Sequence, residues 1–282
     1  MKKVLTLALV ALMGLSANAQ DLPQPSPSAN VMQRVGLTDV EITYSRPAMR
    51  GRTIFGDLVP YGEMWRTGAN KATAINFSTD VEIEGQKLEA GTYSLFTIPN
   101  KDSWTIILNK NTELWGVDGY SQDMDAARFE VEAEKGAKIE SMRISVENVS
   151  NNSADVVIAW AETKASFTIK VNTDEMAMAN IEAALAADDA TWRTYLNAGN
   201  YYLRNDMDAA QALEYCKTAT EMNEENWYAQ FVYAQALAAN GMNDEAEEAA
   251  AEAKEMGQNA AEEAGETFNY GPMIDQFVEG IE

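Results

Sequence analysis

Lys164–Ala187 reads KASFTIKVNTDEMAMANIEAALAA, and the chain changes character inside it. Up to Val171 the residues are those of a strand. From Thr173 onward alanine, glutamate and leucine dominate and β-branched residues become rare. Thr173 is a candidate N-cap, and Met176, Ala177, Ile181, Ala184 and Leu185 follow at helical spacing. Charge changes at the same place. Asn172–Glu282 carries 23 acidic and 4 basic residues, a net of −19, which leaves −4 of the total −23 for everything before it. The expectation is an all-β domain over 29–171 and an α-helical domain over 172–282.

Working outward toward the N-terminus, strand signals recur. Thr38–Ser45 alternates Val40, Ile42 and Tyr44 with polar neighbours. Ala72–Ser78, Val81–Ile83, Gly91–Ile98 and Trp104–Leu108 follow, then 127–133, 139–149, 154–161 and 164–171. About nine short strands separated by Gly, Pro and Asn predict an antiparallel β-sandwich, and the pattern alone also fits a closed barrel. Residues 20–28 form a linker, with LPQPSPS over Leu22–Ser28. Residues 1–19 have the three parts of a secretory signal peptide. These are Lys2 and Lys3, the apolar run Val4–Leu15, and Ala17-Asn18-Ala19, with cleavage expected before Gln20. That run is shorter than the roughly 20 residues of a membrane span. The expected location is therefore an exported compartment, a periplasm, with no stable membrane anchor.

Outward toward the C-terminus, Trp192–Leu203 reads as a second helix. Ala212–Ala219 then recurs in texture at Ala246–Ala253, 34 residues later by the numbering. That spacing, with Ala234, Leu237 and Asn240-Gly241 in the preceding helix, resembles the tetratricopeptide (TPR) repeat. Gly199, Tyr202 and Asn205 hold the corresponding places one unit earlier, offset by one residue. Glu224 stands where the repeat commonly has proline. The resemblance implies two helix pairs, with Met273–Ile281 as a terminal cap. Stacked pairs of this kind present grooves for partner segments, and the acidity points to a basic or amphipathic one.

Several function classes fall away. The chain has no histidine, which removes Ser-His-Asp and Cys-His catalysis and every His-ligated metal site. Cys216 is the single cysteine, read as a small buried hydrophobe. A chain this acidic lacks the basic footprint that nucleic acid requires. Asp118, Asp123 and Asp125 lack the spacing of a calcium loop. No metal and no cofactor are expected.

Between strands, YSRPAMRGRTIFGDLVPYGEMWRTGANKAT over Tyr44–Thr73 is the least ordinary stretch. With Ala90–Pro99, Trp104 and Trp115-Gly116 it resembles the bacterial family of unknown function DUF2911, over about residues 30–170. The resemblance implies a domain and an exported location but no reaction. The residues themselves say more. Arg46, Arg50, Arg52, Arg66 and Lys71 face only Asp57 and Glu63 in this stretch, and Gly51, Gly56, Gly62 and Gly68 make it a turn-rich loop. Arginine suits bidentate contact with carboxylate or phosphate. The candidate ligand-binding set is Arg46, Arg52, Arg66 and Lys71 for charge, Tyr61 and Trp65 for a wall, and Asn70 for an amide. The competing reading is that the arginines tie an irregular loop to the sheet. No catalytic residue stands out. The expected function is non-catalytic binding or scaffolding, with a protein partner at the helices and a small anionic or polar ligand at the loop. A β-sandwich binding glycans or cell-envelope ligands is the alternative, followed by a hydrolase using paired carboxylates.

Overall fold

The computed structural model describes residues 22–281. The expected signal peptide lies outside the described residues. Within them the chain divides into two compact units, one ending at Asn172 and the other beginning at Thr173. The first is an antiparallel β unit of nine strands, and the second contains six α-helices.

The strands are β1 (Ser28–Val35), β2 (Thr38–Ser45), β3 (Thr73–Phe77), β4 (Val81–Ile83), β5 (Gln86–Leu88), β6 (Gly91–Pro99), β7 (Ser103–Asn109), β8 (Asp125–Glu147) and β9 (Ser153–Lys170). They form one continuous sheet in the order β1-β2-β3-β6-β7-β8-β9-β4-β5. The β8 strand hands the ladder on. Its first part pairs with β7 (Trp104↔Val131), and its second part pairs with β9 (Ile144↔Ile158). Within the β8–β9 pairing the register shifts between Lys135 and Ile139, where Gly136 sits, and again between Ile139 and Arg143. The two ends of the ladder share one apolar core. Ile42, Leu95 and Ile106 from one end and Ile144, Ile158 and Phe167 from the other are at most 2% exposed. Burying each such side chain contributes about 1.5–3 kcal/mol, so the sheet doubles over rather than lying flat. The chain leaving β2 also crosses to β8. Met49 N donates to Glu140 O at 2.8 Å, and Met142 N donates to Pro47 O at 2.8 Å.

One departure from simple alternation positions the loop. The β6 strand is buried on both faces. Tyr93 and Leu95 belong to the main core, while Phe96 joins Ala72, Ile107 and Leu114 in a second, smaller cluster. Met64, Ile98 and Tyr120 pack against that cluster. The outer face of β6–β7 is therefore covered by the segments around Met64–Ala72 and Leu114–Tyr120.

The helices are α1 (Thr173–Leu185), α2 (Trp192–Arg204), α3 (Ala209–Met222), α4 (Trp227–Ala239), α5 (Asn243–Ala264) and α6 (Gly271–Ile281). The pairs α2/α3 and α4/α5 pack as hairpins, and α3 packs on α4, consistent with a helical repeat segment. Small residues permit the close approach. A Cβ on Gly199 would collide with Cys216 Sγ, and Ala212, Ala219, Ala246 and Ala253 have no exposure. Asp208 caps α3 through the amides of Ala210 and Gln211 at 3.0 and 3.1 Å, and Asn226 caps α4 through Ala229 N at 2.9 Å. Burial pushes the Cys216 thiol up to about 12, so it stays protonated.

Candidate functional site: a closed loop that leaves one arginine unpaired

After β2 the chain makes a long excursion before re-entering the sheet at β3. Two devices close it. Trp65 pairs with Thr97 through both backbone bonds, at 2.7 and 2.9 Å, continuing along β6 where β3 has ended. Thr73 N then donates to Arg66 O at 3.3 Å, and Thr73 Oγ1 donates to Thr67 O at 2.7 Å. Arg66–Ala72 is thus a tight bulge, pinned at both ends.

Packing inside the bulge is close. A Cβ on Gly68 would stand 3.0 Å from Ser45 O and 3.1 Å from Thr73 Oγ1. Two non-glycine residues adopt left-handed backbone, Thr67 at φ 54 and Asn70 at φ 59. For β-branched Thr67 this costs on the order of 1–3 kcal/mol. Surrounding contacts hold it there. Thr67 has no exposure and its hydroxyl donates to Thr97 Oγ1 at 3.2 Å.

The seven candidate residues fall into separate groups. Arg46 Nε donates to Met142 O at 2.7 Å. Arg52 donates from Nε to Met49 O at 2.9 Å and from Nη2 to Ala48 O at 2.7 Å. Both tie the chain after β2 in place. Asn70 Nδ2 donates to Ser45 Oγ at 3.2 Å and to Ser26 O at 3.4 Å. Trp65 is 8% exposed, and its ring stacks on Trp160 at 5.9 Å beside Phe55 and Trp104. Its Nε1 donates to Gly68 O at 3.0 Å, so the indole faces the core and holds the bulge. Tyr61 is exposed and rests over Gly56. Lys71 reaches Glu113 at 3.5 Å, an exposed pair that contributes little.

Arg66 differs from all of these. Its Nε is buried and has no hydrogen-bond partner. Like Arg46 and Arg52 it has no carboxylate within 4.0 Å of its guanidinium among the described residues, but unlike them it has no carbonyl on Nε either. Of the buried side-chain polar atoms among the described residues, Trp104 Nε1 is the other one without a partner. A charged donor left in that state costs about 1–3 kcal/mol or more. The far end of the guanidinium lies beside Gly116, where a Cβ would stand 4.0 Å from Nη1.

The segment carrying Gly116 was not among the sequence candidates. Lys71 and Trp115 form an antiparallel bridge, and Ala72 N donates to Leu114 O at 3.0 Å. Trp115 is 71% exposed. The end of this segment is fixed by Tyr120, whose hydroxyl donates to Asp125 Oδ2 at 2.8 Å and accepts from Arg128 Nη2 at 2.7 Å. Arg128 Nε also donates to Asp125 at 3.0 Å. Burial and the bond to Asp125 raise the Tyr120 pKa, so the phenol stays neutral. A tryptophan-glycine pair in a polar loop was the available sequence signal. Among the described residues no group of three or more His, Cys, Asp or Glu is placed to hold a metal ion.

A β unit with a pinned loop and a free guanidinium, followed by a helical unit, defines the class. The model of the family described as "Protein of unknown function (DUF2911)" matches residues 26–169, just over half of the chain, and the chain belongs to that family. Neither the curated proteins nor the solved structures include a match.

Proposed function

We propose that this is an exported, non-catalytic binding protein that takes a small anionic ligand at Arg66. The observation that carries the reading is the part-buried guanidinium of Arg66, with a buried Nε that has no partner and no carboxylate close by. An anion at its Nη end supplies the missing counter-charge, where reduced solvent makes the contact stronger than on an open surface. The strained bulge supports the same reading, since such backbone persists where the surroundings over-determine it, often around ligands. Export rests on Lys2, Lys3, the apolar run and Ala17–Ala19. Among the described residues no helix is long and apolar enough to cross a membrane.

The helical unit, read as a TPR-like array, takes a basic or amphipathic segment of a protein partner. Its net charge of −19, from 23 acidic and 4 basic residues, supports that choice. So does a groove between α5 and α6, lined by Glu247, Glu255, Glu279, Ile274 and Val278, whose one lysine, Lys254, is paired with Asp275.

Calorimetric titration of the full chain with acetate and with phosphate tests the ligand half. Saturable binding that disappears in Arg66→Ala, with Arg52→Ala retaining it, is the expected result. No heat from the wild type, or equal heat from Arg66→Ala, overturns the reading.

A further inference from the structure

Trp115 has no packing role that explains it. The indole is 71% exposed, while the other tryptophans of the β unit, Trp65, Trp104 and Trp160, are at most 8% exposed. Tryptophan left in water at a rigid position is characteristic of binding surfaces, because its flat face offers a large area at little conformational cost. The position is rigid here. Leu114 is buried in the smaller cluster, the Lys71↔Trp115 bridge fixes the backbone, and Tyr120 anchors the end of the segment.

Its neighbours define the chemistry. Residues directly opposed in an antiparallel bridge place their Cβ atoms about 4.5–5.5 Å apart, so Trp115 and Lys71 stand side by side. Glu113 meets Lys71 at 3.5 Å and is exposed, giving both a donor and an acceptor at the rim. Gly116, next in the chain, stands beside Arg66, since a Cβ there would lie 4.0 Å from Nη1. One short edge therefore offers an aromatic face, a free cation and a polar pair.

We propose that the ligand of this site is an acidic sugar, whose carboxylate binds the Arg66 guanidinium and whose ring lies on the Trp115 indole. The proposal rests on the anion-binding reading of Arg66 and adds the ring. An aliphatic acid would leave the indole unused. An aromatic acid would leave Lys71 and Glu113 without hydroxyl partners, whereas a pyranose has both an apolar C–H face and hydroxyls.

The test compares acetate, glucose and glucuronate on the full chain by calorimetry, with acrylamide quenching of tryptophan emission as a second readout. Wild type is expected to bind glucuronate at least tenfold more tightly than acetate or glucose, and glucuronate alone should protect the exposed indole from quenching. Trp115→Ala should lower glucuronate affinity about tenfold, a loss of about 1.4 kcal/mol, and leave acetate affinity unchanged. Trp115→Phe should retain most of it. An unchanged melting temperature in both variants excludes loss of folding as the cause. Equal affinity for acetate and glucuronate, or a Trp115→Ala variant that binds like wild type, overturns the sugar while leaving anion binding intact. Failure of acetate and glucuronate alike overturns both.

Discussion

Arg46, Arg52 and Arg66 look alike in the sequence and differ entirely in the fold. The first two spend their donors on carbonyls of Met142, Met49 and Ala48, and the third keeps a buried Nε without any acceptor. The residue type was legible, because a cluster of arginines opposed by two acids is visible as text. Which arginine is free was not, since the partner of Arg46 lies 96 residues away and depends on the strand register. Trp65 shows the same limit. Beside Arg66 it reads as a ligand wall, yet it closes the core against Trp160. Gly68 makes a residue-scale prediction. Gly68→Ala brings a Cβ against Ser45 O and Thr73 Oγ1 at 3.0 and 3.1 Å, where Ser45 O accepts from Ala69 N and Thr73 Oγ1 donates to Thr67 O. Such overpacking should cost about 1–3 kcal/mol, seen as a lower urea midpoint, and should weaken anion binding by shifting Arg66. An unchanged midpoint would mean that the bulge is not tightly held.

Elements were legible where burial imposes a period. Along β2 the buried positions are Thr38, Val40, Ile42 and Tyr44, the alternation that the sequence displays. The helices were legible from composition and recurrence: Trp192–Leu203 falls in α2, the recurring Ala212–Ala219 and Ala246–Ala253 in α3 and α5, and Met273–Ile281 in α6. The β1 strand was missed because it is an edge strand. Val35 alone of its residues is buried, Ala29 and Val31 reach the core in part, and Gln33 interrupts their alternation, so SANVMQRV carries a weak core face. Residues 127–133 and 139–149 have the pattern of two strands and form one, β8, while 154–161 and 164–171 join in β9. The polar stretches Glu134–Lys138 and Glu162–Thr163 look like turns. They remain extended because β8 must pass from one ladder into the next, a demand that arises only from the doubled-over sheet. The Leu114–Tyr120 cover was invisible for a similar reason. Its apolar residues serve the outer face of β6–β7, and nothing local in the sequence says that this face is covered.

At the scale of the whole molecule the charge is divided as sharply as the fold. Residues 172–282 hold −19 of the total −23. A basic amphipathic helical peptide should therefore bind the full chain with an affinity that falls severalfold between low and high salt, as screening shortens the reach of surface charge. Binding that ignores salt, or that is equalled by an acidic peptide of the same apolar pattern, would remove the helical unit as the docking element. The β unit makes the opposite demand, since Arg66 keeps a buried Nε there without an acceptor. The most direct measurement is the set of arginine side-chain N–H signals, recorded by NMR on the full chain as acetate is added. One Nε–H signal, identified by its loss in Arg66→Lys, should move and saturate while those of Arg46 and Arg52 stay still. Signals that all remain fixed, or that all drift together without saturating, would contradict a free and ligand-ready Arg66.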